Sequence, residues 1–300
     1  MSVWVAAGAG TGAAACFAVA TAAQHRSAGL VPEAGGLQLR ALIAFGRATL
    51  RQPLWLLGLA TDVAGLALHV LALGQGSLAL VQPLMTSGLL FALPARRLLD
   101  RQHATHGELV RAGLLVAGLS VFLVAADPVG GKAAADRLPA VLLAVALTLT
   151  AGGLLLAGRR RTTNLRAVLY GTATGIFFGA TAALIKACTN TATLGWGELL
   201  SSPALWVLLV VGPAGFAVNQ LAFQAGPLAA SLPALTVVDP LVSLGAGLLV
   251  FDERLSGSPS RLAGAAAGLV VVVAASVALS RQEAIHDLMA PDHPSLPVSG

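Results

Sequence analysis

The stretch that decides the fold is residues 53–86, PLWLLGLATDVAGLALHVLALGQGSLALVQPLMT, because it returns as residues 203–236, PALWVLLVVGPAGFAVNQLAFQAGPLAASLPALT. At this shift of 150 residues, 12 of 34 positions are identical. Leu and Ala match often by chance in apolar segments, but Pro53/Pro203, Gly65/Gly215, Gly76/Gly226, Pro83/Pro233 and Thr86/Thr236 do not. The register continues where Ala117-Gly118-Leu119 aligns with Ala267-Gly268-Leu269. Such duplication of apolar segments is the sequence pattern of secondary transporters.

Composition supports a bilayer. The chain is 56% hydrophobic and 10% charged, with a mean hydropathy of +0.82. Its net charge of +5 comes from Arg residues in short loops between apolar runs, where they act as orientation signals, so nucleic acid is not an expected partner. Cys16 and Cys188 lie in apolar segments without a CxxC or a neighbouring His and read as small hydrophobes. The first residues, Met-Ser-Val-Trp, lack the basic group of a secretory signal, so the first apolar run is expected to stay as a helix.

Runs of about 20 apolar residues give nine expected spans: Val3 to Ala23, Pro53 to Leu73, Ser77 to Leu98, Leu109 to Ala126, Leu138 to Ala157, Ala167 to Cys188, Ala204 to Phe223, Pro227 to Val250 and Leu262 to Leu279. The fold class is an all-α polytopic bundle. Arg26, Arg40, Arg47 and Arg51 follow the first span; Arg96, Arg97 and Arg101 the third; Arg159, Arg160, Arg161 and Arg166 the fifth. These exits are expected in the cytoplasm, with the N-terminus outside, the C-terminus inside and the chain in the cell membrane. Residues 29–50 read as an interfacial amphipathic helix; as a degenerate span they would instead move the N-terminus inside.

The expected organisation is a first repeat over 1–127 (helices 1 to 4), a connector over 128–165 with helix 5, and a second repeat over 166–280 (helices 6 to 9). Copies that start five spans apart enter the membrane from opposite sides, which makes them inverted repeats. Residues 281–300, with Pro291, Pro294 and Pro297 among polar residues, are expected to be disordered.

Ionisable residues within spans are costly and mark transport paths. Asp62 and Asp239 fall at the middle of helices 2 and 8, as proton or cation sites or, alternatively, as protonated or capping carboxylates. Pro240 removes a helix hydrogen bond beside Asp239 and frees a carbonyl. His69 is the repeat counterpart of Asn219 and serves either the path or an interhelical hydrogen bond. Lys186 reads as snorkelling to the outer interface. Pro83 and Pro233 place kinks at matching positions, and Gln82, Thr86, Asn219, Gln220, Gln224 and Thr236 outline a modestly polar wall. Any one of these is also explained as interhelical glue, and the stretch Gly171 to Gly179 as a packing face. A cation, if carried, would take Asp62 and Asp239 as ligands. No cofactor and no enzymatic activity are expected, since phosphate loops, HExxH, paired metal-binding cysteines and nucleophile elbows are missing from the sequence.

Leu71-Ala72-Leu73 followed by Gly74-Gln75-Gly76-Ser77 and Pro83, its second copy from Ala222 to Pro227, Val238-Asp239-Pro240-Leu241, and Phe251-Asp252-Glu253-Arg254-Leu255 together resemble the drug/metabolite transporter superfamily with EamA-type repeats. The last of these looks like that family's Gly-Glu-Arg-Leu helix end. Leu99-Asp100-Arg101-Gln102 departs from the family's Glu-Arg pair, and the count of nine spans resembles the NIPA-like magnesium transporter branch. The resemblance implies a carrier without nucleotide hydrolysis, in which two halves rock about a central cavity and exchange a small solute. Magnesium is the alternative cargo, and a non-transporting membrane subunit the alternative role. The expected partners are lipid, a small molecule or ion, and a second copy in a homodimer.

Overall fold

The computed structural model describes residues 3–28, 52–88, 90–91, 105–126, 128–129, 131, 137–161, 163–225, 228–255 and 258–289. Its elements are α1 (Val3–Ala28), α2 (Pro53–Gln75), α3 (Leu78–Met85), α4 (His106–Ala126), β1 (Pro128–Val129), α5 (Arg137–Gly158), α6 (Thr163–Ala192), α7 (Trp196–Ser201), α8 (Pro203–Ala225), α9 (Leu228–Val250), β2 (Arg254–Leu255) and α10 (Pro259–Met289). Proline opens α2, α8 and α10, where its missing N–H is no loss and its fixed φ suits the first turn.

The packing is that of a multi-pass membrane protein. Seven helices among the described residues are long and apolar enough to cross a bilayer, in α1, α2, α4, α5, α6, α9 and α10. The third and seventh expected spans fall on α3, described as a helix over Leu78–Met85, and on α8, whose apolar described stretch is Pro203–Asn219. Large side chains face outward, among them Val63, Val124, Leu142, Leu149, Val210 and Val270. Small ones face inward: Ala6, Ala13 and Ala20 line one face of α1 at heptad spacing and are fully buried. A soluble domain would invert this distribution; lipid, as apolar as leucine, leaves close backbone packing to bring helices together.

End contacts fix the direction of each helix. The C-terminal turn of α2 meets that of α6, with Gly74 against Thr189, whereas the end of α8 meets the start of α6 through Arg166 Nη2, which donates to the Ala225 carbonyl at 3.2 Å. The helices α2 and α8 therefore run in opposite directions. The start of α1 touches Gly76 through Ala6, so α1 is opposed to α6. β1 pairs antiparallel with β2 beside the end of α4 and the start of α10, and Arg261 Nη2 donates to the Val124 carbonyl at 2.9 Å, so α4 and α10 also run oppositely.

The long helix pairs meet at glycines. A β-carbon at Gly65 of α2 would lie 3.0 Å from Phe17 of α1, and one at Gly215 of α8 would lie 2.9 Å from Phe177 of α6. Gly118 of α4 packs on Val271 and Val272 of α10, while Gly268 of α10 packs on Phe122 and Gly118 of α4. Gly118 and Gly268 are 150 residues apart, and so are Phe122 and Val272, so the crossing is reciprocal.

Two expectations require revision. α10 extends through residues 281–289, which were expected to be disordered; Arg281-Gln282-Glu283-Ala284 are strong helix formers and the prolines begin only at Pro291. Lys186 does not reach the outer interface but is 5% exposed inside the bundle. The expected interfacial helix at 29–50, the Arg96, Arg97 and Arg101 cluster and residues 290–300 lie outside the described residues.

Candidate functional site

His69 and Gln82 come together. Gln82 Nε2 stands 3.4 Å from His69 Nε2, so the amide donates and an unprotonated ring nitrogen accepts. Phe17 meets the same imidazole edge-on, with ring centroids 6.3 Å apart. The three side chains join α1, α2 and α3, and Gln82 is 2% exposed. A donor and an acceptor that satisfy each other cost little in an apolar interior. Thr86, by contrast, turns back on its own helix, its hydroxyl donating to the Pro83 carbonyl at 2.6 Å.

Across the bundle, Asn219 holds the position that repeats His69, but its Oδ1 is buried without a hydrogen-bond partner among the described residues. The position that repeats Gln82 is Leu232, which has no amide to offer. An unmatched buried carbonyl costs about 1–3 kcal/mol unless something donates to it. The side chains of Gln220 and Gln224 lie outside the described residues.

Asp239 sits in the middle of α9 where this helix presses on α6. A β-carbon at Gly175 would lie 3.0 Å from the Asp239 backbone nitrogen, and one at Gly179 would lie 2.9 Å from its carbonyl oxygen. Gly171 meets the Ser231 backbone in the same way, so the Gly171 to Gly179 stretch is a packing face. The carboxylate accepts from Ser243 Oγ at 3.4 Å, and Ser243 is fully buried. Pro240 is buried beside it, and Thr236 is half-buried one turn earlier. Asp62 is half-buried on α2. Among the described residues no three His, Cys, Asp or Glu gather at one place, so Asp62 and Asp239 form no ready metal centre.

The densest polar arrangement is one that sequence reasoning missed. Between α2 and α3 the chain breaks at Gly76 and Ser77. Lys186 Nζ donates to the Leu73 carbonyl at 2.7 Å and to the Gly76 carbonyl, closing the end of α2. Glu253 closes the start of α3, its Oε1 accepting from the Leu78 amide at 2.7 Å and its Oε2 from the Ala79 amide at 3.0 Å. Ser77 adds a local cap by accepting from the Leu80 amide at 3.1 Å. Glu253 is 3% exposed. Burial pushes its carboxyl above the usual range, while the Ala79 and Leu78 amides and the Lys186 charge pull it back. Gly247 leaves room for this carboxylate, since a β-carbon there would strike Oε2, and Gly131 lies on the Phe251–Glu253 backbone. Asp252 turns the chain at φ 50° so that Glu253 points inward. The available signal was Glu253 itself, an acidic residue directly after an apolar helix.

No family model matches the chain. An uncharacterized protein of Corynebacterium glutamicum is 29% identical over 265 residues, covering 87% of this chain and 89% of that protein. No solved structure matches it.

Proposed function

We propose that the protein is a secondary transporter of the drug/metabolite type, moving a small solute by alternating access through a cavity between two inverted repeats. The observation that carries this reading is the reciprocal crossing of α4 and α10. Positions 150 residues apart exchange roles there, Gly118 against Val272 and Gly268 against Phe122, as two copies related by an internal two-fold would. The opposed directions of α1 and α6, α2 and α8, and α4 and α10 support the same relation.

In this reading Asp239 is the coupling carboxylate. It lies at mid-depth on a helix interrupted by Pro233 and Pro240, where a proton or cation exchanges at a single acidic group. Asn219, with its unmatched oxygen, faces a donor on the solute, and His69 with Gln82 forms the matching wall of the first half. Asp62, Thr86, Thr236 and Gln220 complete the path. The Arg159-Arg160-Arg161 end is cytoplasmic, which sets the N-terminus outside. Magnesium, which prefers several oxygen ligands, is the competing cargo.

The test is thermal unfolding of detergent-purified protein titrated with magnesium, amino acids and organic cations, beside Asp239→Asn. Saturable stabilisation by an organic solute, weakened in the variant, is the expected result. Stabilisation by magnesium alone would replace the solute with a divalent cation, and no response to any ligand would favour a non-transporting subunit.

A further inference from the structure

We propose that Lys186 and Glu253 are the latch of a gate at the Gly76 end of the bundle. They hold the break between α2 and α3 shut against the second half of the chain, and the path to that side opens when the break parts from them. The proposal rests on the transporter reading, which supplies the reason for an end that closes and reopens.

Four observations carry it. Both charged groups are buried, at 5% and 3% exposure, so the end is sealed in this state. Both belong to the second half, while all four backbone groups they hold, on Leu73, Gly76, Leu78 and Ala79, belong to the first. The seal is tight around them: Gly76 touches Ala6, and a β-carbon at Gly74 would lie 3.6 Å from that of Thr189. Finally, Ser77 caps only the Leu80 amide, so the buried Leu78 and Ala79 amides depend for their partner on a carboxylate from the other half.

Charge suits a latch for a physical reason. An apolar seal gains nothing from water when it opens. An ammonium and a carboxylate at the end of a bundle exchange their backbone partners for water with little net change, so closed and open states stay close in free energy. The groups still impose one registry when closed, since any other alignment leaves buried charges unmatched.

The experiment needs no substrate. In a Cys16→Ala, Cys188→Ala chain reconstituted in sealed vesicles, Thr189→Cys reports on the gate and Ala173→Cys, fully buried in mid-helix, reports on general loosening. A membrane-impermeant maleimide should label Thr189→Cys about tenfold faster once Glu253→Gln or Lys186→Met removes a charge-assisted hydrogen bond, with Ala173→Cys unchanged. In a second measurement, Gly74→Cys with Thr189→Cys should form a disulfide readily in the parent and severalfold more slowly with Glu253→Gln. Unchanged labelling and cross-linking would overturn the latch, as would equal acceleration at both reporters, which marks a plain structural cap. A gate that opens in a protein stabilised by no solute would leave the latch standing and remove the transport reading.

Discussion

Gly118 and Gly268 lie against each other where α4 crosses α10, close enough that a β-carbon on Gly268 would come 2.9 Å from the Gly118 carbonyl oxygen. The contact joins positions 150 residues apart, and it lets the backbones approach as only glycine allows. Alanine at either position should therefore separate the helices. Each single variant is expected to lose about 1–3 kcal/mol by overpacking, read as a lower unfolding temperature in detergent. An unchanged value in both would mean that the crossing is looser than described.

Gly247 and Glu253 make one contact, and their variants should behave as one. Gly247→Ala pushes a methyl group into the carboxylate, and Glu253→Gln removes its charge. Each is expected to cost about 1–3 kcal/mol. The double variant should fall short of their sum, and a full sum in a thermal unfolding cycle would separate the two residues.

The Glu253 carboxyl also makes stability depend on pH. Its folded value is raised, chiefly by burial, above the unfolded value of about 4.3. Between those two values the folded state holds more protons than the unfolded one, so stability falls as pH rises through that window. Glu253→Gln should flatten this part of the unfolding-temperature profile.

His69 and Gln82 are hydrogen-bonded across α2 and α3. A cycle of His69→Ala and Gln82→Ala should give a coupling of about 0.5–1.5 kcal/mol, the worth of one neutral hydrogen bond. Gln82→Ala alone should cost more than the coupling, because it leaves the half-buried imidazole nitrogen unmatched.

Opposite ends of the bundle should be labelled from opposite sides. Arg160→Cys and Leu194→Cys are both exposed, at the start and end of α6 respectively. An impermeant thiol reagent applied to intact cells should reach Leu194→Cys and not Arg160→Cys. The reverse pattern would invert the orientation expected from the arginines.

Much of the helical architecture was legible because a bilayer forces each span to be long, apolar and internally hydrogen-bonded. The duplication was legible in Pro, Gly and Thr, residues that chance does not repeat. The His69–Gln82 pairing was half legible, since both were marked as polar groups within spans but nothing in the sequence joined them. Lys186 departs from the snorkelling that its length and its position near a helix end favour, because the end of α2 offers it carbonyls instead.

The sequence by itself determined the multi-pass helical character, most span positions, the repeat of 150 residues and the short list of polar groups inside the spans. These follow from local hydropathy and from residue identity. Tertiary structure alone decided that Glu253 caps a helix beginning 175 residues earlier, that Lys186 closes the helix before it, and that Gly118 meets its own counterpart. Those contacts depend on how helices cross, and hydropathy records only which segments enter the membrane, not which faces they turn to one another.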